Sequence, residues 1–219
     1  MTANADALLD TIRRLVREEL RQTRTATVAI VQDIQPHASD GDADNYSCTV
    51  RLRDSELVLD KVPVATARMG LASIPAVNDL VLVQFINGDI HSPVITGSLY
   101  NDEDRPPVNT GGQWVCRLPL GAGEGEGLHL VASSADTAAL EVRVGGSLVL
   151  VLQDDDPVVS LDVGSGAATL TIDSDGTVAL KGSRGLNVEA GTDLTLKGTN
   201  IKLEGAGEVT VKGAVINLN

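Results

Sequence analysis

The chain has 219 residues, enough for one large domain or two small ones, and carries 30 acidic against 17 basic residues, for a formal charge of −13. That balance excludes a phosphate-backbone binder, which needs basic patches. One Trp, one Phe and two Tyr among many Gly, Val, Leu, Ala and Thr argue against an aromatic-lined enzyme cleft and for short strands joined by tight turns.

Residues 5–23 have helical periodicity. Leu8, Ile12, Leu15, Val16 and Leu20 share one face, and Arg13, Arg14, Arg17, Glu18 and Arg21 share the other. An isolated amphipathic helix of this length is marginal in water, so its stripe must dock on its own chain, on sister chains or on a partner. The segment has no apolar run long enough for a signal peptide or a membrane span, so synthesis in the cytoplasm is expected.

From Thr25 to Leu99 the period changes to two. Strands are expected at Thr27–Ile34, Tyr46–Leu52, Leu57–Val64, Leu80–Ile86 and Val94–Leu99, with a turn at Asn87-Gly88-Asp89. Five strands in this span suit a small OB-type barrel at 25–100. Residues 101–127, rich in Asp, Pro and Gly, read as a connector.

The second half is repetitive: LTIDSDGT, VALKGSRG, LNVEAGTD, LTLKGTN, IKLEGAGE, VTVKGAV, INLN. Each unit begins apolar, polar, apolar and closes on a turn. The pairs are Leu170/Ile172, Val178/Leu180, Leu186/Val188, Leu194/Leu196, Ile201/Leu203, Val209/Val211 and Ile216/Leu218. Upstream, Leu128/Leu130, Leu140/Val142/Val144, Leu148/Leu150/Leu152 and Val159/Leu161/Val163 look like longer strands of the same kind.

Seven or eight extended residues span at most about 26 Å, too little to circle a core. Three copies, each forming one side of an intertwined triangular β-helix over 128–219, would bury the paired residues at roughly 1.5–3 kcal/mol per side chain. An antiparallel meander is the competing arrangement. It would leave one face and one edge uncovered, with no helix to cover them.

Chemistry-bearing constellations are absent from the pattern. His37, His91 and His129 are scattered, Asp154-Asp155-Asp156 reads as a solvated turn before Pro157, and Cys48 and Cys116 are too few for a zinc motif or a disulfide framework. The glycines from 121 to 127 lack the Lys of a phosphate loop. No catalytic residue, metal or cofactor is expected.

The run VNDLVLVQFINGDIHSPVITGSLYNDEDRPP, Val77 to Pro107, resembles the OB-domain signature of the phage baseplate assembly protein V and type VI secretion (VgrG-like) spike family. It carries Asn78-Asp79 ahead of an apolar strand, Phe85, Gly88-Asp89, Pro93, Gly97, Leu99, Tyr100, Asn101, Pro106 and Pro107. Gly is usual where Asn78 stands. The repeat is similar to the family's triangular β-helix.

The resemblance implies an all-β homotrimer that forms the central spike of a contractile injection system or phage tail baseplate and punctures an envelope mechanically. It also implies a hub protein docked on the N-terminal helix (residues 1–24) and a PAAR-like tip protein on Asn217, Leu218 and Asn219. The connector is too short for the lysozyme domain that some relatives carry, and no His-rich tip is present. A trimeric receptor-binding fibre or tailspike is the alternative.

Overall fold

The computed structural model describes residues 10–16, 25–123 and 125–217. The chain divides into two compact units, residues 1–123 and 124–219.

In the first unit, residues 10–16 are helical. Five strands follow: β1 (Ala26–Gln35), β2 (Ser47–Leu52), β3 (Val58–Pro63), β4 (Leu80–Phe85) and β5 (Pro93–Leu99). They form one sheet in the order β3-β2-β1-β4-β5, with every ladder antiparallel. Register shifts at Val31/Asp33, Cys48/Val50 and Leu82/Val83 bend the strands, because a bulge adds a residue to one side of a pair and sharpens its twist.

The bent sheet brings its two edge strands together. Val64, just past β3, bridges Ile95 of β5 in parallel, and the Ala65 N–H donates to the Ile95 carbonyl at 2.8 Å. The edges meet at this bridge and not along a continuous ladder, so the barrel is incompletely closed.

Alternation fills its interior. Ala29 and Val31, then Cys48, Val50 and Leu52, then Val81, Val83 and Phe85 face inward at every second position, joined by Val62 and Ile95. Phe85 is the only ring in this core. The turn after β4 is a short 3-10 segment, Ile86–Gly88, in which Asn87 (φ 54) and Gly88 (φ 77) occupy the left-handed region that Asn and Gly tolerate best.

Residues 101–127, expected as a connector, contain strand β6 (Gln113–Leu118). Val115, Cys116 and Leu118 permit a strand, but no periodic run adjoins them and the surrounding Gly and Pro signal a loop.

The second unit is a meander of β7 (Leu128–Ser133), β8 (Ala139–Val144), β9 (Leu148–Gln153), β10 (Val159–Val163), β11 (Ala168–Ile172) and β12 (Val178–Gly182). Each pairs antiparallel with the next. The sequence reading favours a prism over the whole of 128–219, but residues 128–182 adopt the competing meander within one chain.

The turns are the physical reason. Between β11 and β12, the Asp173 N–H donates to the Thr177 carbonyl, and Gly176 at φ 87 returns its N–H to the Asp173 carbonyl. Gly164 (φ 67) and Gly166 (φ 90) turn the chain between β10 and β11 in the same way. Such closures hold consecutive strands side by side.

Candidate assembly interface

The registers of the meander line up three apolar rows on one face of the sheet. The central row is Leu130, Val142, Leu150, Leu161, Leu170 and Leu180, one residue from each strand. On one side run Ala132, Leu140, Leu152, Val159, Ile172 and Val178. On the other run Leu128, Val144, Leu148, Val163, Ala168 and Gly182.

The opposite face alternates with these and is mixed. One of its rows reads His129, Arg143, Val149, Asp162, Thr169 and Lys181. Successive strand residues point to opposite faces, so an unbroken apolar row across six strands requires every turn to keep the register even.

Among the described residues, those of this apolar face are half-buried or exposed. Among the described residues of the second unit, no residue is fully buried. A single-layer sheet with one apolar face is unstable in water unless another layer packs on it.

Beyond β12 the chain changes character. The residues from 184 to 217 contain no strand, and no backbone hydrogen bond joins them to another residue of the described chain. Their apolar residues, Leu186, Val188, Leu194, Leu196, Ile201, Leu203, Val209, Val211 and Ile216, are 49–70 % exposed. Water can satisfy the unpaired peptide groups of this segment, so the unfavourable part is the apolar surface that it leaves exposed.

At Gly205 in this segment, and at Gly182 at the end of β12, the chain requires glycine for space. A Cβ at Gly205 would lie 2.9 Å from both the Glu208 carbonyl oxygen and a Val209 methyl, and one at Gly182 would lie 2.8 Å from the Gly185 carbonyl oxygen. Gly198 and Gly213 meet carbonyls at 3.4 and 3.2 Å. The repeat therefore has compact turns even where its strands lack partners.

The fourteen residues expected to form a trimer core are not gathered into one cluster by a single chain. Leu170 and Ile172 are half-buried in β11, Val178 and Leu180 are exposed on β12, and the remainder lie along the unpaired segment. Leu218, with Asn219, lies outside the described residues, and Asn217 is exposed. Of the helical stripe, Ile12, Leu15 and Val16 are exposed, while Leu8 and Leu20 lie outside the described residues.

The polar groups singled out by the sequence serve the turns. The Asp42 carboxylate accepts N–H groups of Ser39, Ala38 and Asp44 and pairs with His37 Nδ1 at 2.8 Å. The Ser39 bond, first among these, lowers its pKa. Asp156 accepts the Ser174 N–H at 2.6 Å, tying two turns of the meander together. Among the described residues no group of three or more His, Cys, Asp or Glu is placed to hold a metal ion, and no helix is long and apolar enough to cross a membrane.

Two features escaped the sequence reading. One is the evenness of the three rows, because register depends on turn length that composition alone leaves open. The other is the pair of enclosed side-chain nitrogens without a hydrogen-bond partner among the described residues, Arg117 Nε and His129 Nε2, which leaves no signature in sequence.

The strand order, the parallel β3–β5 bridge and the small interior are those of an OB-type barrel, here followed by a sheet with one apolar face. Residues 52–100 match the family model of the Type VI secretion system/phage-baseplate injector OB domain. This is the family whose signature Val77–Pro107 resembles, and the match supports a structural role in a baseplate. No curated protein gives a significant match to the chain.

Proposed function

We propose that three copies of this chain form the central spike of a contractile injection system or phage tail baseplate. The observation that carries this reading is the segment 184–217, patterned as strand and without backbone hydrogen-bond partners among the described residues. Strands of two other copies would supply the missing hydrogen bonds. The apolar side chains would then turn inward and the Thr, Lys, Asp and Glu between them outward.

The meander joins the same assembly. Three such sheets packed face to face would bury the rows centred on Leu150 and Leu161, giving a stiff rod. Such a rod, catalysing nothing, would transmit force and puncture an envelope. In the same proposal the stripe of Ile12, Leu15 and Val16 docks on a baseplate hub protein, and a PAAR-like tip protein seats on Asn217–Asn219.

A receptor-binding fibre or tailspike would use similar intertwined strands. The injector OB match over residues 52–100 supports a structural role in a baseplate, and a native mass alone does not separate the two.

Light scattering of the full chain and of a variant lacking residues 183–219 tests the reading. A trimer that weakens or dissociates on deletion is expected. A full-length chain that stays monomeric at micromolar concentration would overturn it.

A further inference from the structure

Tyr46 occupies the left-handed region at φ 64, a backbone state that strains a bulky side chain and persists only where surrounding contacts hold it. Those contacts come from the loop that joins β3 to β4. The Val64 N–H donates to the Tyr46 carbonyl at 3.1 Å, and the Ser73 N–H donates to the Tyr46 hydroxyl. One strained residue thus clamps both ends of the stretch 65–72, which gives it the closed form of an Ω-loop.

Inside the clamp the chain turns tightly. The Leu71 N–H donates to the Arg68 carbonyl at 3.0 Å, and Gly70, at φ 95, takes the third position of that turn. The Thr66 hydroxyl lies 3.0 Å from both the Arg68 and the Leu71 carbonyl oxygens. Met69 and Leu71 are left 89 % and 60 % exposed at the tip. Arg68 stands beside them and is the only charged residue between Val64 and Asn78, in a chain that is 21 % charged.

Holding this tip in place buries none of its apolar surface in the single chain. It does cut the ordering cost of binding, which is what preorganisation contributes to an interface. Met and Arg are also enriched where proteins meet. We infer that the loop 65–72 is a preformed plug: Met69 and Leu71 enter an apolar socket on another protein of the baseplate, and Arg68 meets a carboxylate at its rim. The inference rests on the structural role in a baseplate that the family match supports.

The formal charge of −13 selects among occupants. The acid surplus repels anionic lipid and nucleic acid, and a second copy brings the same surplus. One cation and two apolar side chains are too small a surface for stable membrane anchoring.

The chain's two methionines are Met1 and Met69, so growth on photo-methionine places a diazirine at position 69 without changing any other side chain of the loop. Particles carrying the baseplate are purified from such cells and irradiated, and the cross-linked peptides that contain position 69 are sequenced by mass spectrometry. The expected partner is a different protein of the particle, joined through a peptide with apolar residues and an Asp or Glu. Arg68→Glu should lose that cross-link while leaving the native mass of the purified chain unchanged.

A cross-link from position 69 to this chain's own sequence or to lipid, none at all, or one undiminished by Arg68→Glu overturns the inference and leaves the baseplate reading standing. Particles that assemble without the unsubstituted chain overturn the baseplate reading, and this inference with it.

Discussion

Leu161 stands directly opposite Leu150 in the β9–β10 ladder, and both are only half-buried although they lie at the centre of the sheet's apolar face. Ser160, one residue away, pairs with Val151 on the other face. Leu161→Ala is therefore expected to remove about 1.5–3 kcal/mol of burial per copy from the assembly, and Leu161→Asp to dissociate it. Ser160→Asp should leave the native mass unchanged. Sedimentation across a concentration series distinguishes the pair.

Gly205 and Gly207 offer a contrast two residues apart. A methyl at Gly205 meets backbone and side chain at 2.9 Å, whereas one at Gly207 meets nothing within 4 Å. Gly205→Ala should lower stability by about 1–3 kcal/mol through overpacking. Gly207→Ala should be neutral or gain up to about 1 kcal/mol by restricting the unfolded chain. Urea unfolding of the two variants reads the difference.

Asn78 sits at φ 77 and donates its N–H to the Val31 carbonyl at 2.9 Å. That backbone state explains why Gly is usual at this point of the signature that the sequence resembles. Asn78→Gly should keep or slightly raise stability, and Asn78→Val should cost about 1–3 kcal/mol because a β-branched residue is strained in the left-handed region. Thermal melts of the isolated residues 25–123 would confound folding with truncation, so the full chain is the object to measure.

Cys48 is fully buried in the barrel core, and burial first, then the charges of Asp33 and Asp79, push its thiol up to about 11. The unfolded thiol titrates near 9. Between those values the unfolded chain binds fewer protons than the folded one, so stability is intact below pH 9 and falls as pH rises toward 11, by about 2–3 kcal/mol. Cys48→Ala should lose this slope, measured as urea midpoints at pH 8 and 10.5. At pH 8 a maleimide should label the partly exposed Cys116 and spare Cys48.

The barrel strands were legible because their core face alternates without interruption. Val81, Val83 and Phe85 face inward, with Leu82 and Gln84 between them, so the period of two shows through. β6 was not, because Trp114 and Leu118 remain exposed and impose no pattern that core burial would demand. The repeat's apolar pairs were equally plain, but the pairing partner of each strand was not. Leu170 and Leu180 carry the same alternation as Ile201 and Leu203, yet the first two are ladder neighbours and the last two have no ladder at all.

What the sequence determined by itself is local: which residues alternate, where glycine and asparagine must turn the chain, and which signature the run from Val77 to Pro107 carries. Side-chain period and backbone φ preference act over a few residues, so they can be read in one dimension. Only the tertiary structure decided that β7–β12 pair within one chain and that their apolar rows stay in register across six strands. Those properties depend on which distant groups meet, and a period of two is satisfied equally by a neighbour in the same chain or by another copy.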